Sequence, residues 1–174
     1  KTDRNTGSDL TGDLGVDVKY GVTQNLTADF TYNTDFAQAE ADQQQVNLTR
    51  FSLFFPEKRE FFLEGQGIFN FGTTQQGANV GDVPILFHSR RVGLDGGGVV
   101  PIAGGGRLTG RVGRYSVGLI NIQADHETAL GVPSTNFSVV RLRRDLFRRS
   151  SVGVLFTGRS DLPGVAGRSL AYGL

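Results

Sequence analysis

The sequence predicts an all-β fold, an antiparallel transmembrane-type β-barrel of which this chain is a segment, and three observations support it. The first is a hairpin between Leu14 and Tyr32. Leu14, Val16, Val18, Tyr20 and Val22 alternate with Gly15, Asp17 and Lys19; after a tight polar turn, Leu26, Ala28, Phe30 and Tyr32 alternate with Thr27, Asp29 and Thr31. Successive side chains on a strand point to opposite faces, so this hairpin has one apolar and one charged face. The second is the same alternation downstream, with short turns at Gly113-Arg114 and around Asp145 to Arg148 set between long polar connections, which is the rhythm of a membrane barrel. The third is composition: 25 glycines, 13 phenylalanines and 38% hydrophobic residues among 174 suit crowded strands and many turns.

Taken in order, residues 1–12 are a polar lead-in and residues 13–174 the barrel segment. Strands are expected at 14–22, 26–33, 46–54, 66–72, 84–92, 101–112, 115–123, 136–144 and 150–158, with another starting at Ala171. The sharpest downstream hairpin joins Arg107–Val112 to Tyr115–Ile120 through Gly113-Arg114 alone. In outer-membrane barrels short turns and long loops alternate. Here 23–25, 113–114 and 145–149 are short, while 34–45, 73–83, 124–135 and 159–170 are long. Counting every candidate strand puts the first short turn opposite the later ones, so one candidate between 46 and 100 is expected not to span the membrane.

The suspect is the stretch 54–65. Pro56 suits a first helical turn, Glu57, Lys58, Arg59, Glu60 and Glu64 place acids and bases at helical spacing, and Gly65 suits the position past a helix end. A short helix or lumen-facing turn is expected there, anchored by Phe54, Phe55, Phe61 and Phe62, with Arg59 paired to an acid.

No apolar run approaches the ~18 residues of a helical span, so a membrane crossing would use strands. The chain begins at Lys1 and contains no methionine, from which a processed product or a segment cut from a longer protein is expected, with export directed by sequence outside it. A net charge of +1 argues against nucleic acid as a partner.

The charged face supplies the lumen or pore candidates: Asp17, Lys19, Asp29, Arg107, Arg111, Arg141 and Arg143. Arginine accounts for 15 of the 18 basic residues, and two- or four-residue spacing along strands places each arginine pair on one face. Such a positive ladder could draw anionic solutes; the simpler expectation is pairing with acids of neighbouring strands. Arg144, Arg148 and Arg149 lie by a turn, where lipid headgroups or lipopolysaccharide phosphates suit them.

Glu57, Glu60 and Glu64 raise the question of a glycosidase pair, which needs two carboxylates ~5–10 Å apart. Lys58 and Arg59 sit among them, so salt bridging is the expected role. The glycine runs at 96–98 and 104–106 lack the P-loop and dinucleotide patterns and read as a loop and a strand kink. With two histidines and no cysteine, no metal, cofactor or catalytic set is expected.

Several stretches resemble a known family: Asp17–Thr23, Asn25–Thr27, Thr34–Asp42, Val46–Phe51 and, most specifically, Phe54–Gly65, followed by Ser89–Gly93, Leu108–Arg111 and Asn136–Arg141. They resemble the C-terminal region of bacterial envelope proteins in which a module like the family-nine carbohydrate-binding modules precedes a long β-rich domain of unknown function similar to an outer-membrane barrel. The resemblance extends from about residue 12 to 158. It implies a bacterial outer membrane, lipid or lipopolysaccharide as partner, and a glycan ligand bound by a domain outside these residues. It implies no catalytic residue. A structural or solute-transport element is therefore expected, not an enzyme; the alternative is a soluble β-rich carbohydrate-binding or glycan-hydrolysing protein built as a sandwich.

Overall fold

A computed structural model describes residues 15–34, 57–71, 86–95, 98–129, 131–147, 150–161 and 168–173. Seven strands form one antiparallel sheet in the order β1 (Val16–Thr23), β2 (Leu26–Thr34), β5 (Ile102–Val112), β6 (Tyr115–Ala124), β7 (Thr135–Phe147), β8 (Ser150–Asp161) and β9 (Arg168–Gly173). Among the described residues between β2 and β5 are the short helices α1 (Glu60–Leu63) and α2 (Gln66–Phe69), a 3-10 turn at Ser89–Arg91, and the two-residue pair β3 (Leu94–Asp95) and β4 (Gly98–Val99). The sheet is open: within the described residues β1 and β9 are its edges and do not pair.

Two expected strands are not in this sheet, and a third expected stretch, 46–54, lies outside the described residues, as does Pro56. Residues 66–69 of the expected strand 66–72 form α2, because Ile68 and Phe69 both press on Gly118; a strand would send such neighbours to opposite faces. Within 84–92, the 3-10 turn buries Ser89 and Arg90 consecutively. β2 pairs directly and antiparallel with β5, so the first short turn and the later ones share one end and the suspected mismatch in turn order disappears. The connections β1–β2, β5–β6 and β7–β8 take two residues each and share one end of the sheet, whereas β2 to β5, β6 to β7 and β8 to β9 are joined from the other end by longer stretches.

One face of the sheet is covered. Ile102, Ile120, Ile122, Val139 and Leu155 of the strands pack under Phe62, Phe69 and Val92 of the intervening segment. A register shift between Ile102 and Gly104 turns Ile102 onto this face, the kink expected at the second glycine run. Gly118 leaves room for the covering layer, since a Cβ there would lie 2.7 Å from the Phe69 ring. The opposite face carries no second sheet among the described residues, so the layers of a sandwich are not formed there.

Gly110 couples the first hairpin to the second. Its φ is +155°, and an added Cβ would sit 2.1 Å from the Asn25 carbonyl oxygen, which already accepts the Arg111 amide at 2.7 Å. Gly110→Ala is therefore expected to destabilise the protein by about 1–3 kcal/mol, measurable as a lower denaturation midpoint; Gly113→Ala, with open space around it, tests φ strain alone and should cost less.

Candidate functional site

The charged candidates divide into three groups on the covered face. Lys19, Asp29 and Arg107 lie side by side in register on β1, β2 and β5. The Arg107 Nε donates to Asp29 Oδ2 at 3.0 Å, its Nη2 donates to both Asp29 and Glu64, and its Nη1 donates to the carbonyls of Phe61 and Glu64. The ammonium of Lys19 pairs with the other Glu64 oxygen. Hydrogen bonding from Lys19, then from Arg107, holds the Glu64 carboxyl below the usual carboxylate range despite some burial. Arg107 is thus a clamp between sheet and α1, with its guanidinium 5.1 Å from the Phe61 ring centre. The partners of Glu64 are Lys19 and Arg107, not the Lys58 and Arg59 beside it in sequence, because the chain turns at Glu64 and Gly65. Gly65 takes φ +71° just past α1, as its position predicts.

The second group closes the covering layer on itself. Glu57 and Arg59 side chains are 1% and 4% exposed. Arg59 Nε and Nη2 each donate to a Glu57 oxygen at 2.9 Å, Nη1 donates to the Val92 carbonyl at 2.6 Å, Nη2 also to the Ser89 carbonyl at 2.8 Å, and Ser89 Oγ donates to Glu57 at 2.6 Å. Burial alone would raise the Glu57 carboxyl, but the hydrogen bonds from Arg59 and Ser89 and the Arg59 charge outweigh it and lower it to about 2. The expected pairing of Arg59 with an acid is present. Ser89 carried no spacing signal, since it meets Glu57 from 32 residues away. Lys58 and Glu60 are exposed, so the three glutamates form no facing pair.

The third group lies at the short-turn end. Arg111 donates to Asp145 at 2.6 Å, and Arg143 approaches the same carboxylate at 3.8 Å. Arg141 stacks 5.4 Å from the Phe71 ring centre, and its Nε and Nη1 are buried without a hydrogen-bond acceptor among the described residues. Asp145 is the residue that sequence reasoning passed over as part of a turn; its alternation with Arg141 and Arg143 was the available signal. Asp17, exposed on β1, belongs to none of these groups. Among the described residues no three metal-ligating side chains cluster.

The uncovered face is apolar and exposed. Val16, Val18, Tyr20, Val22, Phe30 and Tyr32 of the first hairpin all point there, with Val18 53%, Tyr20 65% and Phe30 58% exposed. Leu26 is half-buried, and Ala28 is 7% exposed because its methyl lies between its register partners Tyr20 and Leu108. The apolar set continues through Val112, Tyr115, Leu119, Val140, Leu142, Val152, Val154, Phe156, Leu170 and Tyr172.

The band is interrupted at one corner. Val16 and Tyr32 share a row with Gln123 and Asn136, whereas Leu108, Leu119, Val140 and Phe156 share an apolar row. The polar corner is a ladder in which Asn121 donates to Ser138 at 2.8 Å and to Asn136 at 3.0 Å, and Gln123 donates to Ser134 at 3.0 Å. At the other end Arg144 lies 5.2 Å from the Tyr115 ring centre. Arg148 and Arg149 lie outside the described residues.

No curated protein and no solved structure matches this chain. The later stretches of the resemblance, Leu108–Arg111 and Asn136–Arg141, fall beyond the family match, which takes in β1, β2 and the covering layer with both of its buried clamping residues, Glu57 and Arg59. Residues 1–100, more than half of the chain, match the model of the family described as Domain of unknown function (DUF5916), and the chain belongs to that family.

Proposed function

We propose that this chain forms an arc of a bacterial outer-membrane β-barrel, with the segment between β2 and β5 folded into the lumen as a plug, and that it serves a structural or solute-transport role without catalysing a reaction. The observation that supports this best is the exposed apolar face. Soluble monomers rarely expose apolar patches beyond ~300–600 Å², and this one crosses seven strands.

Short and long connections alternate by end, as a barrel with periplasmic turns and external loops requires. The open edges of β1 and β9 call for further strands, since each unpaired backbone group in the bilayer core costs several kcal/mol. Arg144 with Tyr115 at one end, and the Asn/Gln ladder at the other, suit headgroups and lipopolysaccharide sugars. A glycan ligand would reach the protein through a carbohydrate-binding module outside this chain, as the family resemblance suggests. Glu57 and Glu64 are held ionised by basic partners, which disfavours the protonated acid a glycosidase needs.

The test is electrophoresis of the full-length protein in detergent with and without heating, paired with solute flux and glycan hydrolysis in vesicles. A heat-dependent mobility shift and no hydrolysis are expected. A protein that is monodisperse without detergent, or hydrolysis abolished by Glu57→Gln, Glu60→Gln or Glu64→Gln, overturns the reading.

A further inference from the structure

We propose that the covered face at the short-turn end of β5–β8 binds a small oxyanion of the phosphate class through Arg141, Arg143 and Arg111. The three guanidinium groups gather along one row. Arg111, Ser116, Arg143 and Gly153 are register partners across β5, β6, β7 and β8. Arg141, one inward position from Arg143, extends over Gly153: its Nη1 lies 2.9 Å from where a Cβ on that glycine would stand. Gly153 thus vacates the space that admits a third guanidinium beside Arg143.

Charge and hydrogen bonding in this corner are unbalanced. Asp145 is the single acid paired there among the described residues, and it is shared by Arg111 and Arg143. Arg141 is 8% exposed, and its Nε and Nη1 have no acceptor among the described residues. Arginine does not deprotonate in proteins, and a buried donor without an acceptor is costly, more so when charged. Beside this row is a cavity of about 290 Å³ lined by Gly65, Gly67, Ile68, Arg111, Ser116 and Arg143, roomy enough for a phosphate group with its water. Planar guanidinium groups bind tetrahedral oxyanions bidentately. The site lies on the face opposite the apolar band, so the ligand is a dissolved phosphate-bearing solute and not a lipid headgroup. This holds whether or not the sheet closes into a barrel.

The experiment titrates inorganic phosphate into the full-length protein in detergent and follows heat release. Saturable binding that weakens with salt is expected. Arg141→Gln and Arg143→Gln should each weaken it by roughly tenfold, Asp145→Asn should tighten it by freeing Arg111 and Arg143, and Arg159→Gln, elsewhere on the same face, should leave it unchanged. A phosphate-bearing lipid in mixed micelles should not compete. Absence of saturable binding, or unchanged affinity in both Arg141→Gln and Asp145→Asn, overturns the proposal; the second result would assign Arg141 to an acid on an adjoining strand. Competition by the lipid overturns the assignment to a dissolved solute.

Discussion

Replacing Glu57 with glutamine is expected to destabilise the covering layer by about 3–5 kcal/mol, because it removes the buried carboxylate to which Arg59 donates through both Nε and Nη2. Both side chains are almost fully buried, and Arg59 also holds the carbonyls of Ser89 and Val92, so one substitution loosens two turns of the segment. Amide exchange over residues 57–71 and 86–92 would read the effect, with protection in the native protein and fast exchange in the variant. The double variant Glu57→Leu with Arg59→Met should recover part of the loss, since removing both charges avoids an unpaired one. A variant with native-like exchange would mean that the network does not hold the layer. The same pair predicts acid sensitivity. The Glu57 carboxyl is lowered to about 2 from an ordinary 4.5, so its contribution is complete above pH ~4.5, declines as pH falls towards 2 and is absent below it. In Glu57→Gln this part of the acid dependence should disappear.

Val18→Arg is expected to cost about 2–4 kcal/mol in a bilayer, the penalty for a basic side chain on the lipid face near the membrane midplane. In water the same exposed position would tolerate arginine within about 0.5 kcal/mol. Val18 is 53% exposed on the uncovered face, and its neighbours across β2 continue that face, so no protein packing competes with this explanation. Folding the full-length protein into vesicles and comparing denaturation midpoints gives the number. Asp17→Arg, one residue away on the other face, is the control. A cost near zero for Val18→Arg, or spin labels at Val16, Val18 and Phe30 reporting bulk water, would remove the membrane from the account.

Much of the sheet was legible because period-two alternation is a local property. From the spacing of apolar residues alone come β1 with β2, the two-residue turn at Gly113-Arg114, the strands on either side of it, and the outward stripe of the first hairpin. The helical character of residues around Glu60 and the left-handed Gly65 were legible for the same reason, since capping chemistry acts within a few residues.

What lay beyond sequence reading was long-range. Whether 66–72 becomes helix or strand depends on Gly118, which offers a hollow for both Ile68 and Phe69 and lies far along the chain. A run of alternating residues does not encode that hollow. The charged residues follow the same rule: their faces came from alternation, but their partners came from packing. Arg107 became a clamp because α1 arrives above Asp29, and Arg141 was left without an acceptor among the described residues because Asp145 is taken up by Arg111 and Arg143. The sequence by itself determined the hairpin strands with strict alternation, their two faces and the residue types on each. The tertiary structure decided which of the candidate segments joined the sheet and which covered it, because contacts between residues distant in the chain outweigh the weak local preference of a short apolar run.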